Sequence, residues 1–228
     1  MIDSKSIEKQ LELVKNQLDE SVTLVAVSKT KPQSDILEAY ECGQVDFGEN
    51  KAQEMAEKYE ALPKDIQWHM IGHLQRNKVK YIAPFVHLVH SVDSFRLLKE
   101  INKQAEKVDR KINCLLQMHI AMEDTKYGLD EAELIGIMEG DDFKELNHIK
   151  ITGLMGMATN TENQETVKQE FEILKALFEK VKVKYKSEKV AFNTLSMGMS
   201  GDYKLAIECG SNMVRIGSTI FGERNYNN

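Results

Sequence analysis

Residues 23–29 read TLVAVSK, with four consecutive apolar residues, Leu24–Val27, closed by Ser28 and Lys29. A short, β-branched, near-continuously apolar run is what a strand covered on both faces looks like in a parallel sheet. The same unit recurs along the chain. VDFG (Val45–Gly48), QWHMIG (Gln67–Gly72), VHLVHSV (Val86–Val92) and INCLLQMHI (Ile112–Ile120) come next. IKITGLM (Ile149–Met155), FNTLSM (Phe192–Met197) and MVRIG (Met213–Gly217) complete the set. Polar turns and stretches of helical spacing separate the runs. The longest, Glu165 to about Lys182, puts Val167, Phe171, Leu174, Ala176–Phe178 and Val181 along one broad stripe. Eight strand–helix units in an undivided chain predict an α/β fold, a single (β/α)8 (TIM) barrel over residues 1–228. A doubly wound sheet more often has five or six strands. The polar, helical opening, MIDSKSIEKQLELVKNQL, predicts an extra N-terminal helix that caps the barrel floor.

The bulk composition narrows the classes of function. At 228 residues and 42% hydrophobic the chain can bury a sizeable core, while 29% charged residues leave polar helix faces. A net charge of −6 and a pI near 5.6 argue against a nucleic-acid groove, which needs clustered cations. The lysines instead alternate with glutamates on helical faces, as at Lys175, Glu179, Lys180 and Lys182. Cys42, Cys114 and Cys209 are too scattered for a disulfide framework or zinc site, and read as small buried residues. No signal-peptide core and no run of roughly 20 apolar residues is found, so a cytoplasmic protein with no membrane partner is expected.

In such a barrel the chemistry lies at the carboxyl ends of the strands. Lys29 ends the first run. A lysine in the barrel mouth is partly desolvated, which favours its neutral amine and lets it attack an aldehyde. The alternative is a lysine that simply snorkels to solvent, as expected for Lys31. Phosphate sites of these barrels are often built after strands seven and eight. There, Gly198 and Gly201 let the backbone approach an anion, and Ser196 and Ser200 offer hydroxyls. A helix from Asp202 to Cys209 would turn its amino terminus to the site, and Gly217-Ser218-Thr219 gives a second such turn. Two such loops opposite a strand-end lysine point to a phosphate-bearing aldehyde. Arg215, mid-strand, requires a partner: either a nearby carboxylate or a heteroatom of a bound ring.

Seven segments then carry a resemblance: LVAVSKTKP, DFGEN, WHMIGHLQRNK, HSVDS, ITGLMGM, LSMGMSGD and MVRIGSTIFGER. In this order they resemble the pyridoxal phosphate homeostasis protein family over nearly the whole chain. The resemblance implies a barrel similar to the N-terminal domain of alanine racemase, binding pyridoxal 5'-phosphate as a covalent imine (Schiff base) on Lys29. It implies that Arg215 lies near the pyridine nitrogen and that Ser196, Ser200, Gly217 and Ser218 hold the phosphate. Asn50 and His69 are expected to line the cofactor's surroundings. Departures from the family pattern, at His73 and at Met118-His119-Ile120, fall on the outer pocket. Lys126-Tyr127-Gly128 matches a family Lys-x-Gly element, which a solvated loop explains equally well.

A related racemase needs a second base, a tyrosine from a separate domain, for which the end of this sequence at Asn228 leaves no room. Nothing in the spacing of Tyr203 or Tyr226 makes either one that base. A cation at the ring nitrogen also opposes protonation of the pyridine and makes it a poorer electron sink. The expectation is therefore a carrier in vitamin B6 homeostasis, without turnover, that meets apo-enzymes transiently. A minimal amino-acid racemase is the alternative, with a cofactor-free Schiff-base aldolase or a barrel without ligand further off. No heptad or large apolar helix face forces oligomerisation, and the resemblance suggests a monomer.

Overall fold

The structure, a computed structural model, describes residues 6–122 and 127–223. Six strands run in sequence from the start of the chain: β1 (Thr23–Val27), β2 (Asp46–Glu49), β3 (Gln67–Met70), β4 (Leu88–Val92), β5 (Ile112–Met118) and β6 (Ile149–Gly156). A two-residue strand, β7 (Lys186–Ser187), precedes β8 (Val190–Met199) and β9 (Met213–Ile216). Neighbours pair in the order β6-β5-β4-β3-β2-β1-β9-β8, and a further β6–β8 pairing closes the ring. All of these pairs are parallel; only β7 runs antiparallel, as a hairpin on β8. The eight runs read from the sequence are the eight barrel strands, with ends shifted by one to a few residues.

Closure brings β6 and β8 into close contact. A Cβ on Gly153 would sit 1.8 Å from the Thr194 carbonyl oxygen, so only glycine fits where the two strands meet. Alternate side chains then face in or out. Outward residues such as Phe47, Trp68, Cys114 and Leu154 join the main core between sheet and helices. Val25, Leu88, Leu115, Met155 and Met213, from five strands, form a separate apolar cluster that fills the barrel interior.

The long helix spans Gln164–Lys184 and buries Val167, Phe171, Leu174, Phe178 and Val181 of the stripe read from its spacing, while Ala176 is exposed and Leu177 half-buried. Its exposed face carries ion pairs, among them Lys175 Nζ to Glu179 Oε1 at 2.6 Å. Two expectations are corrected. The N-terminal helix, Ile7–Lys15, does not cap the floor; it packs against the helices Gln33–Glu41 and Ser218–Phe221. The last helix has only four residues, so the first one fills the outer ring beside it. Among the cysteines only Cys114 is buried, where desolvation pushes its thiol up; Cys42 and Cys209 are half-buried. No helix among the described residues is long and apolar enough to cross a membrane.

Candidate functional site

The carboxyl ends of the strands surround a cavity of about 450 Å³. Lys29, Asn50, Ser200, Arg215, Gly217 and Ser218 line it, together with Val27, Ile71, His73, Gln117 and Met157. Six of the eight residues singled out in the sequence therefore meet in one place.

Lys29 is set by the turn that follows β1. The Lys31 amide donates to the Ser28 carbonyl (3.0 Å), and Thr30 takes a left-handed φ of 65°, a costly conformation for a threonine. A buried ionic cluster holds that turn. Lys58 Nζ donates to the Ser28 carbonyl, to Glu49 Oε1 and to Glu54 Oε1. The Ser28 hydroxyl donates to Glu49 Oε1 (2.7 Å), and Glu54 accepts from the Thr30 amide (2.6 Å). Burial raises the Glu49 carboxyl above its ordinary range, against the opposing pull of Lys58 and Ser28. Lys31 does not snorkel to solvent. It lines the cavity and donates to the carbonyl of Phe221 (2.6 Å), which the end of a helix leaves without an intrahelical partner, and to that of Glu223 (3.2 Å) just beyond.

The two glycine-bearing loops touch. The Gly217 amide donates to Ser200 Oγ (3.2 Å), and the helix Ser218–Phe221 begins at once, so the Ser218 and Thr219 amides open a first turn. Such amides and hydroxyls suit an anion. Gly198 does not serve the close approach to a ligand that its sequence context suggests. It has φ 96°, and a Cβ there would lie 2.6 Å from that of Ala206 in the helix Tyr203–Glu208. Gly201 does line the cavity.

His69 and Ser196 are fully buried and lie deeper than the lining residues. On β8 the register shifts between Ser196 and Met199: Ser196 pairs with Met213, but Met199 pairs with Arg215. The extra residue sinks Ser196 below the loop that carries Ser200. There it accepts from Arg215 Nη1 (2.6 Å), while Arg215 Nη2 donates to the Gly156 carbonyl (3.1 Å). The hydrogen bonds of Arg215 thus go to a hydroxyl and a carbonyl rather than to a carboxylate. Burial lowers this guanidinium to about 10, and the charge of Asp202 opposes the shift. Ser196 Oγ also meets His90 Nδ1 (3.1 Å), His90 Nε2 meets His69 Nδ1 (2.9 Å), and His69 Nε2 meets Asp46 Oδ1 (2.8 Å).

Several contributors were not singled out in the sequence. His90 had a signal, since an imidazole inside a predicted buried strand must find a partner. Gln117 lines the cavity and donates to the Tyr127 carbonyl (2.7 Å). The Tyr127 ring stacks on His73, with centroids 4.4 Å apart. Tyr203 points away, donating to Gln17 Oε1 (2.8 Å). Lys126 and Tyr226 lie outside the described residues.

Comparison with known proteins follows the same line. The family described as alanine racemase, N-terminal domain, matches residues 2–225. A pyridoxal phosphate homeostasis protein of Aquifex aeolicus (strain VF5) is 42% identical over 204 residues, covering 89% of this chain and 87% of that protein. The chain belongs to the pyridoxal phosphate homeostasis protein family. A solved structure, that of PipY of Synechococcus elongatus PCC7942 with PLP bound, superposes with TM-score 0.85 at 32% identity. That match covers 95% of this chain and 100% of PipY, and PipY without PLP gives 0.88. An alanine racemase of Clostridium difficile 630 shares the barrel at TM-score 0.79 and 13% identity, over 98% of this chain and 61% of the racemase. At that distance the likeness is one of fold.

Proposed function

We propose that this protein binds pyridoxal 5'-phosphate in the cavity at the strand ends and takes part in its homeostasis, holding and handing over the cofactor without turnover. One observation carries the reading: Lys29, Arg215 and the two linked loops of Ser200 and Gly217-Ser218 line a single cavity. The chemistry of this donor set fits the group, with an amine for the aldehyde, hydroxyls and amides for the phosphate, and a cation for the ring.

Lys29 joins the cofactor as a Schiff base: the amine nitrogen bonds to the aldehyde carbon and a water molecule leaves. Ser200, Gly217 and Ser218 hold the phosphate. Asn50 borders the ring's surroundings, and Arg215 supplies a donor at the ring nitrogen. His69 and Ser196 act one layer behind, through Arg215. Free pyridoxal phosphate is a reactive aldehyde, and the tether keeps it from other amines while leaving it exchangeable. A guanidinium beside the ring nitrogen disfavours its protonation, so the bound ring is a weak electron sink and turnover of amino acids is not promoted. The protein acts as a monomer in the cytoplasm and meets apo-enzymes transiently.

Absorption spectroscopy tests this reading. Protein incubated with pyridoxal phosphate and desalted should keep a visible band that Lys29→Ala abolishes; a wild-type protein that takes up no cofactor would refute it. Exchange of the α-hydrogen of alanine in deuterated buffer, at rates well above those of free cofactor, would instead favour a racemase.

A further inference from the structure

Five side chains from five strands make one hydrogen-bonded row through the barrel: Asp46 on β2, His69 on β3, His90 on β4, Ser196 on β8 and Arg215 on β9. One end, Arg215, lines the cavity. The other, Asp46, lies at the amino end of its strand, with a side chain 20% exposed. His69, His90 and Ser196 between them are fully buried. Barrel interiors of this class are usually packed with branched apolar side chains, so a polar row of this length needs a reason.

With one proton on each imidazole, the two ends fix the direction of every bond between them. A guanidinium can only donate, and a carboxylate can only accept. Ser196 Oγ accepts a hydrogen bond from Arg215 and donates its own hydroxyl to His90 Nδ1. His90 then donates from Nε2 to His69 Nδ1, and His69 donates from Nε2 to Asp46. Each imidazole then carries that proton on Nε2. Burial favours this state at His90, where desolvation holds the imidazole well below its usual range, helped by His69, Arg215 and His87. With the other tautomer at His90 the order fails: Ser196 would receive two donors, and its own proton would have no acceptor in the row.

We propose that Asp46, His69 and His90 are positioning residues that keep Ser196 an acceptor and thereby lock the guanidinium of Arg215 at the wall of the cavity. Asp46, His69 and His90 act on Arg215 only through this row of hydrogen bonds, while the charge that favours the guanidinium directly is that of Asp202. What Arg215 faces when locked rests on the cofactor reading above; the lock itself does not.

The first measurement needs no cofactor. In histidine-labelled, full-length protein near neutral pH, nitrogen-15 spectra should show His90 neutral and both His69 and His90 protonated at Nε2, with Arg215 giving separate, slowly exchanging Nη signals. A His90 proton on Nδ1, or a charged His90, would overturn the proposal. The second measurement compares release of pyridoxal phosphate from wild type, His90→Phe, Asp46→Asn and a control, Leu88→Ala, which disturbs the same interior outside the row. Asp46→Asn, at the partly exposed end, serves if His90→Phe does not fold. Each row variant should release cofactor about tenfold faster, as removal of supporting groups commonly does, and should average the Arg215 Nη signals. Leu88→Ala should lower stability without either change; equal effects in the control would reduce the row to packing and overturn the proposal. If wild type binds no cofactor while the imidazole and guanidinium signals are as expected, the lock stands and the cofactor reading falls.

Discussion

Lys58 Nζ donates a 2.8 Å hydrogen bond to the carbonyl of Ser28, the residue immediately before Lys29. The same ammonium reaches Glu49 Oε1 (2.7 Å) and Glu54 Oε1 (2.8 Å), and its side chain is only 7% exposed. The turn that carries the proposed anchor is thus built on a buried charge cluster rather than on apolar packing. Removing one member of such a cluster strands the others, at a cost of roughly 3–5 kcal/mol. Lys58→Met should lower unfolding free energy by about that amount, read by chemical denaturation. Adding Glu49→Gln should recover part of the loss, because it removes the carboxyl that burial already disfavours. A Lys58→Met protein as stable as wild type would show that the cluster contributes nothing.

The two glycines of the loop after β8 should behave differently. Gly198 sits at φ 96° with Ala206 and Tyr203 against it, so Gly198→Ala should cost about 1–3 kcal/mol in thermal unfolding. A Cβ added to Gly201 would meet no atom within 4 Å, and Gly201→Ala should leave stability within about 0.5 kcal/mol. Equal losses at both positions would contradict the packing role assigned to Gly198.

Acid should destabilise the fold through His90. Its imidazole is held well below 6.5, so below about pH 6.5 the unfolded chain binds a proton that the folded one refuses. Stability is therefore full above that pH and falls beneath it, by up to about 1.4 kcal/mol per pH unit for one site. His87, also lowered by burial, acts in the same direction, whereas Glu49, raised, gains stability as pH falls towards 4.5. Denaturation curves at several pH values should show a flatter acid limb for His90→Phe. Parallel limbs would mean that His90 is not the group responsible.

The barrel was legible because its strands are short, largely apolar runs that recur with helical stretches between them. Lys29, Asn50, Ser200, Arg215, Gly217 and Ser218 were legible because strand ends in this fold converge on one mouth. Depth was not legible. Ser196 and Ser200 look equivalent in SMGMS, and only the register shift against β9 separates a buried hydroxyl from a lining one. The amphipathic pattern of Ile7–Lys15 shows that one stripe is buried, but not which surface it covers. His90 and Lys58 contribute through partners 106 and 30 residues away, Ser196 and Ser28, relationships that strand closure and helix packing create.

Reduction of cofactor-loaded protein with borohydride, followed by peptide mass spectrometry, bears most directly on the central claim. The reagent makes a Schiff base permanent at whichever lysine formed it. The pyridoxyl phosphate mass should appear on the peptide containing Lys29 and disappear in Lys29→Ala. Its absence from wild type, or its location on another lysine, would contradict Lys29 as the tether.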